Sequence, residues 1–149
     1  MRIFGEIPGI PEGSEFENRH YLSEYGVHKP LQAGISGSQM EGSDSLILSG
    51  GYEDDSDYGD VIIYTGHGGR SKLTKAQVAD QQLTRQNLAL VLNRERGLLV
   101  RVIRGSTHQS AFSPKQGYRY DGLYQVESYW REKGASGFFV WRFRLIKQA

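Results

Sequence analysis

The residues best placed to do chemistry crowd into positions 48–66. Gly50 and Gly51 let a backbone turn sharply or approach a ligand closely. An aromatic, Tyr52, follows at once, then the carboxylates Glu53, Asp54, Asp55, Asp57 and Asp60. The apolar run Val61–Ile63 leads to a second aromatic, Tyr64, and to Thr65-Gly66. Two flat rings with an acceptor carboxylate between them can hold a planar polar ligand, one ring to each face and the acid on its edge. A nucleobase is such a ligand. The same residues also suit a plain turn followed by a strand, because glycine and aspartate favour turns on conformational grounds alone.

Other chemistries find less support. His20, His28, His67 and His108 show no short metal-ligand spacing, and no cysteine is present to supply a thiolate ligand, a disulfide or a nucleophile. Asp55-x-Asp57 faintly suggests a calcium loop, but Gly66 stands where the bidentate glutamate belongs. There is no Gly-x-Ser-x-Gly and no phosphate-binding loop. Glu132-Lys133 lacks the spacing of a nuclease motif. A hydrolase working on a base or sugar through Asp55 and Asp57 remains the alternative. No metal or cofactor is expected.

The elements that must position these groups read mostly as strands. Residues 4–11, with two prolines, form an extended lead-in, and 12–25 are expected to carry a strand. Residues 26–34 form a loop. Residues 45–49, 60–65, 98–104, 118–129 and 138–146 read as strands, the fourth interrupted at Asp121-Gly122. Thr84 is a candidate helix N-cap, followed by a stripe of Leu88, Ala89, Val91 and Leu92 running to about Asn93. In the last strand Phe139, Trp141, Phe143 and Leu145 share one face, with Arg142 and Arg144 on the other. This pattern gives an α+β class with a strongly curved, barrel-like sheet and a few flanking helices.

The 149 residues suit one domain, 1–149. The start of the chain lacks the apolar stretch of a signal peptide, and no run is long enough to span a membrane. The net charge of +1 conceals an asymmetry: residues 1–60 hold 3 Lys/Arg against 12 Asp/Glu, and residues 61–149 hold 15 against 5. Arg70, Lys72, Lys75, Arg94, Arg96, Arg101, Arg104, Arg142, Arg144 and Lys147 could together make a face for a polyanion. Equally, the basic part could neutralise the acidic part internally.

A series of motifs in order carries a resemblance. Gly5-Glu6-Ile7-Pro8-Gly9, Gly26-Val27-His28-Lys29-Pro30, Ser49-Gly50-Gly51-Tyr52-Glu53-Asp54-Asp55, Ile63-Tyr64-Thr65-Gly66, Asp80-Gln81, Val100–Arg104, Tyr120-Asp121-Gly122 and Gly137–Trp141 resemble the SRA (SET- and RING-associated, or YDG) domain, over residues 4–146. That family has a barrel-like α+β fold of the PUA type and reads modified cytosine by flipping it from the duplex. The resemblance implies that Tyr52 and Tyr64 sandwich the base. It has Asp55 accept from the exocyclic amine, with Ser49, Gly50, Gly51, Thr65 and His67 completing the pocket. Gln32 stands where the family has a thumb that fills the vacated stack. His28, Lys29, Arg70, Lys72 and Lys75 are expected on the DNA backbone, and Tyr120-Asp121-Gly122 is expected to be a structural turn.

Two departures refine the expectation. Residues 69–80 are shorter than the finger of the vertebrate hemimethyl-CpG readers and lack its Asn-Lys-Arg tip. His67 replaces a smaller residue near the methyl group. The expected protein is therefore a non-catalytic, monomeric reader of 5-methylcytosine or 5-hydroxymethylcytosine in duplex DNA, tolerant of sites outside CpG. It is closest in style to bacterial members and to plant histone-methyltransferase SRA domains. It would be the specificity element of a modification-dependent restriction system, with a nuclease domain or partner elsewhere. It would be nucleoid-associated in a bacterial cytoplasm, or nuclear in a eukaryote.

Overall fold

The computed structural model describes residues 2–50 and 55–149. The chain runs β1 (Glu15–Phe16), α1 (Arg19–Glu24), β2 (Ile35–Ser38), β3 (Gly42–Leu48), β4 (Ser56–Asp57), β5 (Val61–Thr65), α2 (Arg85–Arg96), β6 (Val100–Gly105), β7 (Tyr118–Lys133) and β8 (Phe139–Lys147). Hydrogen bonding orders one mixed sheet as β2-β3-β6-β7-β8-β5-β4, with β1 attached to β7. Only β3 and β6 run parallel, and the sheet does not close on itself among the described residues. The class is α+β as expected, but the barrel is an open one.

Strand β3 is buried along its whole length, so its alternation feeds two cores rather than one. Leu46 and Leu48 join Val100, Val102, Tyr124, Phe143, Leu145 and the Leu90–Val91 face of α2. Ile47 points the other way, with Phe16, Leu22, Val27, Ile103 and Tyr120. Helix α2 starts after Thr84 in extended geometry, although the Thr84 side chain makes no cap bond. It ends at Gly97 in the left-handed conformation (φ 67°). Its buried face differs from the expected stripe: it is Asn87, Ala89, Leu90, Val91 and Asn93. The two asparagines replace an all-apolar face because each satisfies a neighbouring backbone. Asn93 accepts from Ser43 N (2.6 Å) and donates to Ser43 O (2.7 Å).

Three other expectations change. Residues 12–25 hold only a two-residue strand and the short helix α1, joined by a bend, the helix capped by Asn18, which accepts from Tyr21 N. Strand β2 was absent from the sequence reading, because Ile35-Ser36-Gly37-Ser38 is short and lacks the enrichment that marks strands. Asp121-Gly122 is no turn. It lies inside the continuous β7, where Gly122 (φ 100°) accompanies a register shift against β6 between Arg101 and Ile103. The extra residue is accommodated as a bulge.

Candidate functional site

A cavity of about 350 Å³ opens beside the end of β5, a volume at the small end of ligand pockets. It brings together Gln32, Ser49, Asp55, Tyr64, His67 and Arg70 from the sequence reading, with Arg19, Ala33, Gly34, Ile35, Ile47 and Gln86 in addition. Gly51 and Tyr52 lie outside the described residues. Gly50 follows Ser49 with φ 78°, in the left-handed region.

Asp55 is the cavity's acid. Thr65 N donates to its Oδ1 at 2.6 Å. Burial pushes its carboxyl up to about 6, against the pull of the Thr65 amide and hydroxyl and of the positive field from His108 and Arg142. Thr65 Oγ1 is buried without a well-formed hydrogen bond among the described residues, although it lies close enough to favour the Asp55 charge. A carboxylate beside a small cavity, with further acceptor lone pairs beyond the Thr65 bond among the described residues, can accept from a ligand's N–H edge.

Tyr64 is 4% exposed and belongs to the core cluster that also holds Phe143, opposite it across the β5–β8 ladder. Its hydroxyl donates to Ile47 O at 3.4 Å. One part of the ring therefore packs into the core while the residue also lines the cavity. His67 forms the far rim. Its N donates to Asn87 Oδ1 and its O accepts from Asn87 Nδ2, both at 2.9 Å. The rim is thus pinned to α2. Gly66 allows this approach, since a Cβ there would sit 2.5 Å from Asn87 Oδ1. Burial and the nearby Arg85 lower the His67 pKa, so its ring is neutral at pH 7.

The loop at 29–34 rises from the cavity's other side, with Gln32 exposed at its crest. Arg19 holds this loop from below, donating to the carbonyls of Pro30 (2.8 Å), Ala33 (2.7 Å) and Gln32 (3.4 Å). Sequence reasoning passed over Arg19. Its signal was its rarity, because only Arg2, Arg19 and Lys29 are basic in residues 1–60. His28 is a correction. It was expected on the DNA backbone but is fully buried. Its Nε2 donates to Ala33 O (2.9 Å) and its Nδ1 accepts from Ser45 Oγ (2.7 Å), the tautomer being assigned from these partners. Burial lowers its pKa to about 4. A neutral, enclosed ring cannot meet a phosphate. It braces the loop instead, while Lys29 beside it is exposed.

The segment 70–77 is a compact protrusion, closed by Ser71 N to Ala76 O (2.8 Å), by the Arg70–Gln77 bridge and by Arg70 Nε to Lys75 O (2.8 Å). Lys72, Leu73 and Lys75 are exposed on it. Much of the expected basic face, however, is spent in pairs with acids of the same chain, two of them buried. Arg101 is 1% exposed and bonded to Asp44 and to four backbone carbonyls. Arg104 is 4% exposed between Asp57 and Asp121. Arg142 pairs with Glu132, Arg144 with Glu127 and Lys147 with Glu12.

Asp57, the second carboxylate of the hydrolytic alternative, is also internal. It accepts from Arg104 Nε and Nη2 (both 2.7 Å), from His108 Nε2 (2.9 Å) and from Gly59 N (3.0 Å). Although burial opposes it, this set of donors holds the carboxyl far below the usual range. Such a group is neither a base nor a nucleophile, so the alternative loses one of its two acids.

A family model for the SAD/SRA domain matches residues 3–149. The chain belongs to that family. Among curated relatives, the E3 ubiquitin-protein ligase UHRF1 of Rattus norvegicus is 46% identical over 163 residues, covering 95% of this chain and 21% of its own length. The chain therefore spans about a fifth of that relative. The alignment also exceeds the chain's 149 residues, so the relative carries insertions. Among solved structures, the modification-dependent TagI restriction endonuclease superposes with a TM-score of 0.97 at 50% identity, covering 99% of this chain and 53% of its own. The SRA domain of SUVH5, bound to fully hydroxymethylated CG DNA, superposes with a TM-score of 0.83 at 41% identity, covering 98% of this chain and 94% of its own.

Proposed function

We infer that this SAD/SRA domain binds duplex DNA and takes a 5-methylcytosine or 5-hydroxymethylcytosine, flipped from the stack, into the cavity beside β5. The observation that carries the reading is the Asp55 carboxylate, anchored on the Thr65 amide and set in a base-sized cavity between Tyr64 and the Gln32 loop. Extruding a base costs a few kcal/mol. Stacking in the cavity returns about 1–3 kcal/mol for the stacked base, and Asp55 adds a charge-assisted bond to the amine. Tyr52 supplies the second face in this reading. Lys29, Arg70, Lys72 and Lys75 serve the phosphates, and Gln32 occupies the gap in the stack.

The domain acts without catalysis, as the monomeric specificity element of a modification-dependent restriction protein whose nuclease lies in another domain or partner. The likeness to the TagI endonuclease supports that setting. The short 70–77 protrusion favours sites outside CpG, and the work is done where DNA is, in a nucleoid or a nucleus. The test is equilibrium binding to matched duplexes carrying cytosine, 5-methylcytosine or 5-hydroxymethylcytosine. Preference for a modified duplex is the expected result; equal affinity for all three overturns the reading.

A further inference from the structure

The loop between β6 and β7, residues 106–117, contributes nothing to the lining of the cavity, yet it grips the chain on both sides of the pocket loop. Before that loop, Thr107 Oγ1 donates to Ser49 O at 2.7 Å. Gly50 lies so close that a Cβ would sit 2.6 Å from Thr107 O. After it, His108 Nε2 meets Asp57 Oδ2 at 2.9 Å, and Ser110 Oγ reaches the same oxygen at 3.3 Å. Two residues further on, Phe112 lies against Gly59, where a Cβ would be 2.8 Å from the ring, and over the Arg104 guanidinium.

These contacts matter for the chain at Asp55. It returns to the sheet through β4, a two-residue edge strand paired only as Ser56↔Ile63 and Asp57↔Ile62. Two ladder positions alone cannot fix the direction of the preceding Asp55, which the Thr65 amide holds by one oxygen. The charge-assisted clamp on Asp57 can, and it is buried: the side chains of Asp57, Arg104 and His108 are 1%, 4% and 7% exposed.

We propose that Thr107 and His108 are positioning residues for modified-base recognition, the 106–117 loop acting as a clasp that holds Ser49–Gly50 and Asp57 so that Asp55 faces the base. This rests on the proposed reading of the cavity. Recognition needs its groups held to within a fraction of an ångström, so loosening the clasp should cost selectivity before it costs fold.

The test compares the full chain with Thr107→Ala, Thr107→Ser, His108→Ala and His108→Gln. Each is titrated against the same duplex with and without 5-methylcytosine, with 2-aminopurine fluorescence reporting extrusion and thermal melting reporting fold. Each alanine variant is expected to lower the modified-to-unmodified affinity ratio by up to about tenfold, as the loss of one hydrogen bond allows. Affinity for the unmodified duplex should stay as it was. Thr107→Ser keeps the hydroxyl and His108→Gln keeps a donor toward Asp57, so both should retain the ratio. An unchanged ratio in both alanine variants overturns the clasp, as does equal loss in the serine and glutamine variants. A parallel fall in unmodified affinity also overturns it, by making the loop a phosphate contact. If the wild-type chain itself shows no preference, the reading of the cavity fails and the clasp with it.

Discussion

In the proposed reading, Asp55 serves recognition as an anion in a place that disfavours anions. Its carboxyl, raised to about 6, is still mostly ionised at pH 7 and can accept from a cytosine amine. Asp55→Asn keeps an oxygen for the Thr65 amide but turns a donor toward that amine. The variant should fold and lose preference for modified duplex, by about 1.5–3 kcal/mol for a bond to a charged group; titration against matched duplexes reads this directly. Tyr64 calls for a subtler change. Truncating a buried aromatic costs about 3–5 kcal/mol of stability, which would blur any binding result. Tyr64→Phe removes the hydroxyl, and with it the long 3.4 Å bond to Ile47 O, and leaves the stacking face. Its modified-to-unmodified ratio should stay within about twofold of wild type if stacking carries the energy, and a larger loss would assign the recognition to the hydroxyl. At this scale the sequence was partly legible. Asp55 and Tyr64 stood out by type and by neighbours. Asp57 looked equivalent to Asp55, because the partners that immobilise it, Arg104 and His108, are 47 and 51 residues away.

Two protrusions flank the cavity and call for different experiments. The Gln32 crest is preorganised by Arg19 and His28, so a substitution at its tip should not disturb the base of the loop. Gln32→Ala should weaken binding to modified duplex and leave modified single strands nearly unaffected, since no gap opens there; fluorescence polarisation on both forms decides it. Equal losses would make Gln32 a source of general affinity. The 70–77 protrusion offers charge. Lys72→Ala with Lys75→Ala should flatten the slope of log affinity against log salt by up to about 2, near 0.9 for each phosphate no longer neutralised, with the modified-to-unmodified ratio intact. The longer elements were legible because their periodicity repeats: β6, β8 and α2 fall near their expected bounds. Short elements were not. Helix α1 depends on the Asn18 cap and tertiary burial of Leu22; β7, read at 118–129 with a break at Asp121-Gly122, instead runs unbroken over Tyr118–Lys133, because sequence alone reads Asp-Gly as a turn.

Across the whole molecule, charge goes largely into architecture, which composition could not reveal. The acidic first part and basic second part meet in Asp44–Arg101 and in the Asp57–Arg104–Asp121–Arg119 chain. Two buried titrations then act on stability in opposite directions. His28 is neutral in the fold and titrates at about 4, against 6.5 in the unfolded chain. Its contribution is complete above pH 6.5 and is lost as the pH falls toward 4. Asp55 keeps its proton in the fold up to about 6, against 3.8 when unfolded. Its contribution is complete below pH 3.8 and is lost as the pH rises to 6. At 1.36 kcal/mol per unit, each amounts to at most about 3 kcal/mol, with solvent in the cavity reducing the Asp55 share. Between pH 4 and 6.5 the two nearly offset, so these groups leave the wild-type stability almost flat in that window. Asp55→Asn removes one side of the balance. Urea unfolding at intervals from pH 4 to 7 should show the variant gaining stability as the pH rises, equal to wild type near pH 4 and more stable by about 1–3 kcal/mol at pH 7. A variant curve parallel to wild type would mean that the Asp55 carboxyl titrates normally, and that the cavity charges the acid no cost for being ready to read a base.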